Sequence, residues 1–91
     1  KLLSKESSVI RELMLIKVKN DRKTKNDIMT AVSIFRSKII DYSANALCIE
    51  VTGDTEKLDA FIEIMKPLGI IEMCRTGIVA LERGEGSLLE Q

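Results

Sequence analysis

Histidine and tryptophan are absent from this chain of 91 residues, and aromatic residues make up only 3% of it. Histidine is the commonest general base and the commonest nitrogen ligand of metals, so its absence removes most familiar hydrolytic and metal-binding sites. The scarcity of aromatic rings argues against an RNA-binding domain, which stacks bases on aromatic side chains of its sheet. We therefore expect no catalytic residues, no metal and no cofactor.

Charge of one sign does not dominate the chain, because fourteen basic residues are balanced by fourteen acidic residues. Proteins that bind nucleic acids or anionic membranes nonspecifically carry a marked basic excess. The apolar runs also fall well short of the roughly 18 residues that a transmembrane helix requires. We expect neither a nucleic-acid partner nor a membrane partner.

Cysteine is scarce, with Cys48 and Cys74 far apart and without the close spacing of a metal or redox motif. Free cysteines usually behave as small core residues, so both are predicted to be buried, reduced thiols. Two cysteines are also too few for a disulfide scaffold, which favours a reducing, cytoplasmic location.

The length predicts one small domain. Residues 1–10 are polar and rich in serine, which is typical of a linker remnant. The folded domain is predicted to span residues 11–84, and residues 85–91 are predicted to form a flexible tail.

Alternation of apolar and polar residues predicts strands over 12–19, 38–43 and 46–52, and a fourth strand from residue 70 onward. The fourth strand is expected to be interrupted near Thr76-Gly77 by a bulge. Apolar residues at helical spacing predict two helices, the first over residues 25–36 and the second ending at Pro67 and Gly69. Their apolar stripes are Ile28, Ala31, Val32 and Phe35 on the first helix and Leu58, Phe61, Ile62 and Met65 on the second.

The element order is βαββαβ, which is typical of an α+β ferredoxin-like sandwich. In that fold a four-stranded antiparallel sheet carries two helices on one face. The first and third strands are expected at the centre of the sheet, and the second and fourth at its edges.

The face of the sheet without helices is predicted to be unusually apolar. If Met14, Ile16, Val18, Leu47, Ile49 and Val51 face the helices, alternation turns Leu13, Leu15, Ala46 and Cys48 the other way. A solvated face of an antiparallel sheet should be polar. Burying two leucines is worth about 3–6 kcal/mol, so we expect a homodimer or another partner across this face. In the fourth strand, Ile70 and Cys74 are expected on one side and Ile71 and Met73 on the other.

The segment Arg75-Thr76-Gly77 is the first candidate for a partner contact, because arginine is enriched at protein interfaces. The alternative is a structural bulge whose arginine is solvated or paired with Glu72. Arg36 and Lys38 form a second candidate patch, for which the alternative is compensation of the dipole of the first helix. Gly53-Asp54 precedes a helix, where a turn and an N-cap are favoured over an anion site because the aspartate is itself negative.

Four blocks of sequence, in this order, carry a resemblance to a known family. They are RELMLIKV at 11–18, IFRSKIID at 34–41, EVTGD at 50–54 and GIIEMCRTG at 69–77, the last followed by Ala80-Leu81 and Arg83-Gly84. Together they resemble the C-terminal domain of the regulatory (small) subunit of acetolactate synthase, also called acetohydroxyacid synthase. The resemblance covers residues 10–84.

The resemblance implies a non-catalytic, dimer-forming ferredoxin-like domain that acts in the biosynthesis of valine, leucine and isoleucine. It implies that the partner is the catalytic large subunit, which depends on thiamine diphosphate and is activated by the regulatory subunit. It also implies that feedback effectors bind an N-terminal ACT domain, for which no stretch before residue 10 is long enough. No valine-binding residue is therefore assigned to this sequence.

A second function class stays open, namely a stand-alone ferredoxin-like sensor of small ligands such as amino acids. It depends only on analogy between folds. An acylphosphatase-like enzyme shares the topology, but the expected glycine-rich phosphate loop is absent between Lys19 and Thr24.

Overall fold

The computed structural model describes residues 8–85 of the chain. Five strands and two α-helices follow one another, with a short 3₁₀ helix between the second α-helix and the fourth strand. In chain order they are β1 Ser8–Lys19, α1 Lys25–Ile34, β2 Lys38–Tyr42, β3 Ala46–Gly53, α2 Thr55–Met65, the 3₁₀ helix Lys66–Leu68, β4 Ile70–Arg75 and β5 Val79–Glu82.

The main sheet has the strand order β2-β3-β1-β4, and every pairing in it is antiparallel. This arrangement confirms the predicted ferredoxin-like sandwich, with β1 and β3 at the centre and β2 and β4 at the edges. The two helices pack on one face, which we call the helix-side face, and the other face is the open face.

The core lies between the helices and the sheet and is almost entirely aliphatic. The six strand residues predicted to face the helices are all completely buried, as are Ile28, Leu58 and Met65 on the helices. Phe61 is the largest buried side chain, and its ring meets that of Phe35 edge to face at a centroid distance of 5.2 Å and an angle of 76°. Such pairs contribute beyond the area that they bury.

Helix α1 ends at Ile34, two residues earlier than predicted, because the chain turns into a left-handed conformation at Arg36 with φ of 52°. The N–H of Arg36 donates to Ser33 O at 3.1 Å, and the N–H of Ser37 donates to Val32 O at 2.9 Å. These two bonds close the helix in the pattern usually built on glycine. An arginine here carries a conformational cost that glycine would avoid.

Helix α2 begins at the predicted N-cap, where Asp54 Oδ1 accepts the N–H of Lys57 at 2.9 Å. It ends at Met65, and the 3₁₀ helix that follows includes Pro67. The chain then leaves through Gly69, whose φ of 99° suits a residue without a Cβ. The predicted exit is confirmed.

Strand β1 begins at Ser8, four residues before its predicted start. Ser8–Arg11 pair antiparallel with Val79–Glu82 of β5, and we call this two-stranded extension the ribbon. The predicted linker boundary at residue 10 is therefore wrong for residues 8–10. Residues 1–7 of the predicted linker and residues 86–91 of the predicted tail lie outside the described residues, and Glu85 is in a turn.

The ribbon continues the sheet along one edge of β1 only. Strand β3 pairs with β1 from Glu12 to Lys19. Within residues 8–85, Ser8–Arg11 therefore have a neighbouring strand on the β5 side and none on the β3 side.

Strands β4 and β5 are separated by a bulge. Arg75 lies opposite Met14, and Val79 lies opposite Arg11. Two residues of β1 (12 and 13) thus face three residues (76–78), which leaves one extra residue. Gly77 has a φ of 85° within this stretch, as such a bulge favours. The predicted bulge is confirmed, and the chain beyond it forms a strand of its own.

A second irregularity lies inside β4. Ile70 is opposite Val18, whereas Glu72 is opposite Lys17, so the register shifts at this point. Ile70 packs against the core, while Cys74 lies opposite Leu15 and is exposed. The prediction that Ile70 and Cys74 share one side is wrong, because an extra residue reverses the alternation that was assumed.

Candidate functional site on the open face and ribbon

The open face is formed by every second residue of the central strands. Leu13 lies opposite Thr52, and Leu15 lies between Glu50 of β3 and Cys74 of β4. Opposed residues of antiparallel strands point to the same side. Together with the burial pattern, this places the four predicted dimer-face residues on the open face: Leu13, Leu15, Ala46 and Cys48.

Charged side chains cover part of this face. Lys17 lies between Cys48 and Glu72, and its Nζ is 3.3 Å from Glu72 Oε1. Leu15 is 37% exposed and Leu13 is half-buried. The two leucines are thus less exposed than the sequence suggested.

A shallow depression of about 420 Å³ lies beside Leu15. Cys48, Asp41, Met73 and Cys74 also line it. Both cysteines are free thiols, and they flank β1 opposite Lys17 and Leu15. The prediction that both are buried is wrong, because Cys48 is half-buried and Cys74 is exposed.

The apolar character of the open face extends onto the ribbon. Val9 lies opposite Leu81, and Arg11 lies opposite Val79. Val9 and Arg11 have the same parity in β1 as Leu13 and Leu15, so alternation places them on the same side. We call the apolar members of this surface the apolar strip: Val9, Leu13, Leu15, Val79 and Leu81.

The ribbon part of the apolar strip is its most exposed part. Val79 is 63% exposed and Leu81 is 70% exposed, about twice the exposure of Leu15. Sequence reasoning missed this part because it assigned residue 9 to a linker. The signal that could have revealed it was the apolar run Ile78-Val79-Ala80-Leu81, bounded by Gly77 and Gly84.

Arg75, the first predicted contact, is engaged inside the domain. Its Nε and NH2 atoms donate to the two carboxylate oxygens of Glu12 at 2.8 and 2.7 Å, and its NH1 atom donates to Asp59 Oδ1 at 2.6 Å. The alternative considered from the sequence was an arginine paired inside the domain with Glu72. Arg75 is indeed paired inside the domain, but its partners are Glu12 and Asp59. Glu72 pairs with Lys17 instead.

Glu12 is the charged centre of this arrangement and is buried on the helix-side face. Hydrogen bonding from Arg75 is the main cause that lowers the pKa of the Glu12 carboxyl, with smaller contributions from the N–H of Gly77 and the side chain of Thr55. The same pairing raises the pKa of Arg75 above its ordinary value. Both groups are therefore held in their charged forms at neutral pH.

Thr76 and Gly77 complete the bulge and are exposed. The N–H of Thr76 donates to Leu13 O at 3.0 Å, and the N–H of Leu13 donates to Thr76 Oγ1 at 3.1 Å. The Thr76 hydroxyl also donates to Gly77 O at 2.9 Å. The first two of these bonds join the bulge to β1 at Leu13.

Arg36 and Lys38 are both exposed. Lys38 lies opposite Glu50, which faces the open side, while Arg36 is in the turn that closes α1. The contact assigned to this patch stays a prediction.

Residues 8–85 contain no group of three or more histidine, cysteine, aspartate or glutamate side chains that could hold a metal ion. Of the helices in the described part of the chain, none has the length and apolar content to cross a bilayer. What the open face and ribbon offer is apolar surface bordered by charges, which is suited to contact with protein.

Comparison with known proteins gives one family. The model of the small subunit of acetolactate synthase matches residues 11–84. The chain is 46% identical over 79 residues to the acetolactate synthase small subunit of Mycolicibacterium smegmatis, covering 87% of this chain and 46% of that protein. It is 52% identical over 81 residues to acetolactate synthase small subunit 2, chloroplastic, of Arabidopsis thaliana, covering 89% of this chain and 17% of that protein.

A solved structure agrees with these sequence matches. The crystal structure of the acetolactate synthase small subunit from Thermotoga maritima superposes with a TM-score of 0.83 at 44% identity, covering 90% of this chain and 50% of that chain. The chain thus spans at most about half the length of these relatives. The match over residues 11–84, which includes the bulge and most of the ribbon, shows that this chain belongs to the acetolactate synthase small-subunit family.

Proposed function

We propose that this chain is a non-catalytic domain of a regulatory subunit that acts by association, with a second copy of itself and with the catalytic subunit of acetolactate synthase. In this role it contributes to the activation of a thiamine-diphosphate-dependent enzyme of branched-chain amino-acid biosynthesis. The observation that carries the proposal is the apolar strip, which runs from the open face onto the ribbon.

Self-association is supported by the exposure of the strip. Val79 and Leu81 are each more than 60% exposed, although apolar side chains gain roughly 1.5–3 kcal/mol each on full burial. Charges of both signs border the strip, including Lys17 and Glu72. A two-fold interface uses the same patch on both copies, so a mixed-sign border can pair with itself.

Contact with the catalytic subunit is assigned to the exposed candidates that the strip does not use: Thr76, Gly77, Arg36 and Lys38. Arg75 supports this surface indirectly in the proposal, because its ion pair with Glu12 holds the bulge that presents Thr76 and Gly77. Both cysteines are free thiols, which suits the cytoplasmic location expected from the sequence.

Self-association is tested by sedimentation velocity of the full chain over a range of concentrations. We expect a dimer for the wild type and a monomer for Leu81→Asp, because the new carboxylate would be buried in the interface. Ile34→Asp is the matched control, since Ile34 is 71% exposed, like Leu81, but lies on α1. A wild-type monomer at high concentration, or equal effects of the two variants, would contradict self-association through the strip.

Contact with the catalytic subunit is tested by co-purification and by measuring acetolactate formation. We expect Lys38→Glu to weaken both, while Arg22→Glu, a charge reversal in the exposed turn before α1, leaves them unchanged. If the wild-type chain neither co-purifies with the catalytic subunit nor changes its rate, this part of the proposal fails.

The sensor alternative predicts a different result. Calorimetry of the full chain with valine, leucine and isoleucine should give no binding heat if the domain acts by association alone. A saturable heat with any of the three would favour the sensor.

A further inference from the structure

We propose that a small polar cavity between the ribbon and the start of α2 binds a carboxylate group. The cavity has a volume of about 130 Å³ and is lined by Ser8, Ile10, Arg11, Asp54 and Arg83. It lies apart from the depression beside Leu15. The inference does not depend on the proposed association, because none of the apolar-strip residues lines this cavity.

Ser8 supplies the first observation. The residue is only 1% exposed, and its Oγ is buried without a hydrogen-bond partner. Buried hydroxyl groups are nearly always hydrogen-bonded, because an unsatisfied one carries a desolvation cost. An acceptor oxygen placed in the cavity would receive the proton of this hydroxyl.

The two arginines supply the second observation. Neither Arg11 nor Arg83 takes part in the ion pairs found among residues 8–85. Arg11 has the strand parity of Leu13 and Leu15, but its side chain turns back along β1, where NH1 donates to Ile10 O at 2.8 Å. The other donors of its guanidinium group are left available to the cavity that Arg11 lines. The planar donor array of arginine matches the two oxygens of a carboxylate.

The charge of the lining favours a singly charged anion. Two arginines and one aspartate give the lining a formal charge of +1 (2 − 1). Asp54 is committed to the cap of α2, where its Oδ1 accepts the N–H of Lys57. A carboxylate would neutralise the lining, whereas a phosphate dianion would leave an excess negative charge beside Asp54.

The proposal is tested by ¹⁵N–¹H NMR titration of the full chain with sodium acetate, and with sodium chloride at the same ionic strength. We expect saturable shifts of the amide signals of Ser8, Ile10 and Thr55 with acetate alone. Arg83→Gln should weaken acetate binding at least about tenfold, since one charged hydrogen-bonding group is lost. Arg22→Gln is the matched control and should leave the affinity unchanged.

A second variant keeps the proposal testable if Arg83→Gln fails to fold. Ser8→Ala removes only the hydroxyl oxygen and should also weaken acetate binding, with the rest of the spectrum unchanged. The proposal is overturned if acetate gives no saturable shifts, if chloride gives the same shifts, or if neither Arg83→Gln nor Ser8→Ala alters the acetate affinity.

The source of the carboxylate is distinguished in a separate arm that uses the catalytic subunit. If Arg83→Gln weakens co-purification as well as acetate binding, the carboxylate comes from a side chain or terminus of that partner. If co-purification is unchanged while acetate binding is lost, the cavity serves a free carboxylate. Failure of the association proposal would appear in the wild-type co-purification, and it would leave the acetate result standing.

Discussion

The carboxylate of Glu12 and the guanidinium of Arg75 meet at two points, at 2.8 and 2.7 Å, although 63 residues separate them in the chain. This pair joins the middle of β1 to the last residue of β4. It lies immediately before the bulge from which the ribbon departs, so it connects the packing of the sandwich to the position of the apolar strip.

The Glu12–Arg75 pair should make stability depend on pH in a defined direction. The pKa of the Glu12 carboxyl is lowered below its ordinary value of 4.5 in the folded state. Its contribution to the free energy of unfolding is therefore complete above pH 4.5 and is lost as the pH falls through the folded-state pKa. We expect Glu12→Gln to lower the melting temperature at pH 7 and the difference from wild type to shrink below about pH 4.5. Melting curves between pH 7 and pH 3 measure this.

Glu63→Gln is the control for this experiment. Glu63 also has a cationic partner, Lys66 at 2.8 Å, but both side chains are exposed and the pair contributes little. A difference between wild type and Glu12→Gln that stays constant with pH would contradict the assignment of the shift to Glu12.

Arg36→Gly should stabilise the domain by about 1 kcal/mol, because glycine adopts the left-handed conformation at this position without a steric cost. Urea denaturation measures the change. Arg36→Ala removes the charge but keeps a Cβ in the left-handed conformation, so it should give little or no stabilisation. Equal gains from both substitutions would indicate that the charge, and not the backbone, is responsible.

Phe61→Ala should destabilise the domain by about 3–5 kcal/mol, because Phe61 is completely buried and its removal leaves a cavity. Phe35→Ala removes the partner ring, which is only partly buried, and should cost less. Denaturation with urea compares the two. A larger loss of unfolding free energy for Phe35→Ala than for Phe61→Ala would contradict the assignment of Phe61 to the centre of the core.

Alkylation of the thiols should report on the open face. Cys74 is exposed and Cys48 is half-buried, so iodoacetamide should modify Cys74 faster in the dilute protein. Because both lie beside Leu15 and Lys17, self-association through this face should slow both reactions as the protein concentration rises. Mass spectrometry of the modified peptides gives the two rates, and rates independent of concentration would argue against a covered open face.

The faces of β1 and β3 were predictable because their side chains alternate without interruption. Met14, Ile16 and Val18 alternate with Leu13 and Leu15 along β1. Once the first set is buried against the helices, the second set must point to the open face. The positions of Asp54 as a cap and Gly69 as an exit were also predictable, since local chemistry decides them.

The ribbon and the ion pair were not predictable in the same way. Val9 and Ile10 form a strand only because β5, about 70 residues later, provides a partner. The partner of Arg75 depends on the register of β1 against β4, which the extra residue near Ile71 shifts. Local strand propensity reveals neither the pairing of residues 9 and 10 with β5 nor the register of β1 against β4.

The one-sided pairing of Ser8–Arg11 has a consequence for hydrogen exchange. Leu13 directs its N–H and C=O toward Thr76, so the amides of Ile10 and Met14 both point the other way. Met14 meets β3 there, whereas Ile10 meets no strand within residues 8–85. In deuterated water, the amide hydrogen of Met14 should therefore persist until global unfolding. The amide hydrogen of Ile10, four residues away in the same strand, should exchange for deuterium almost at once.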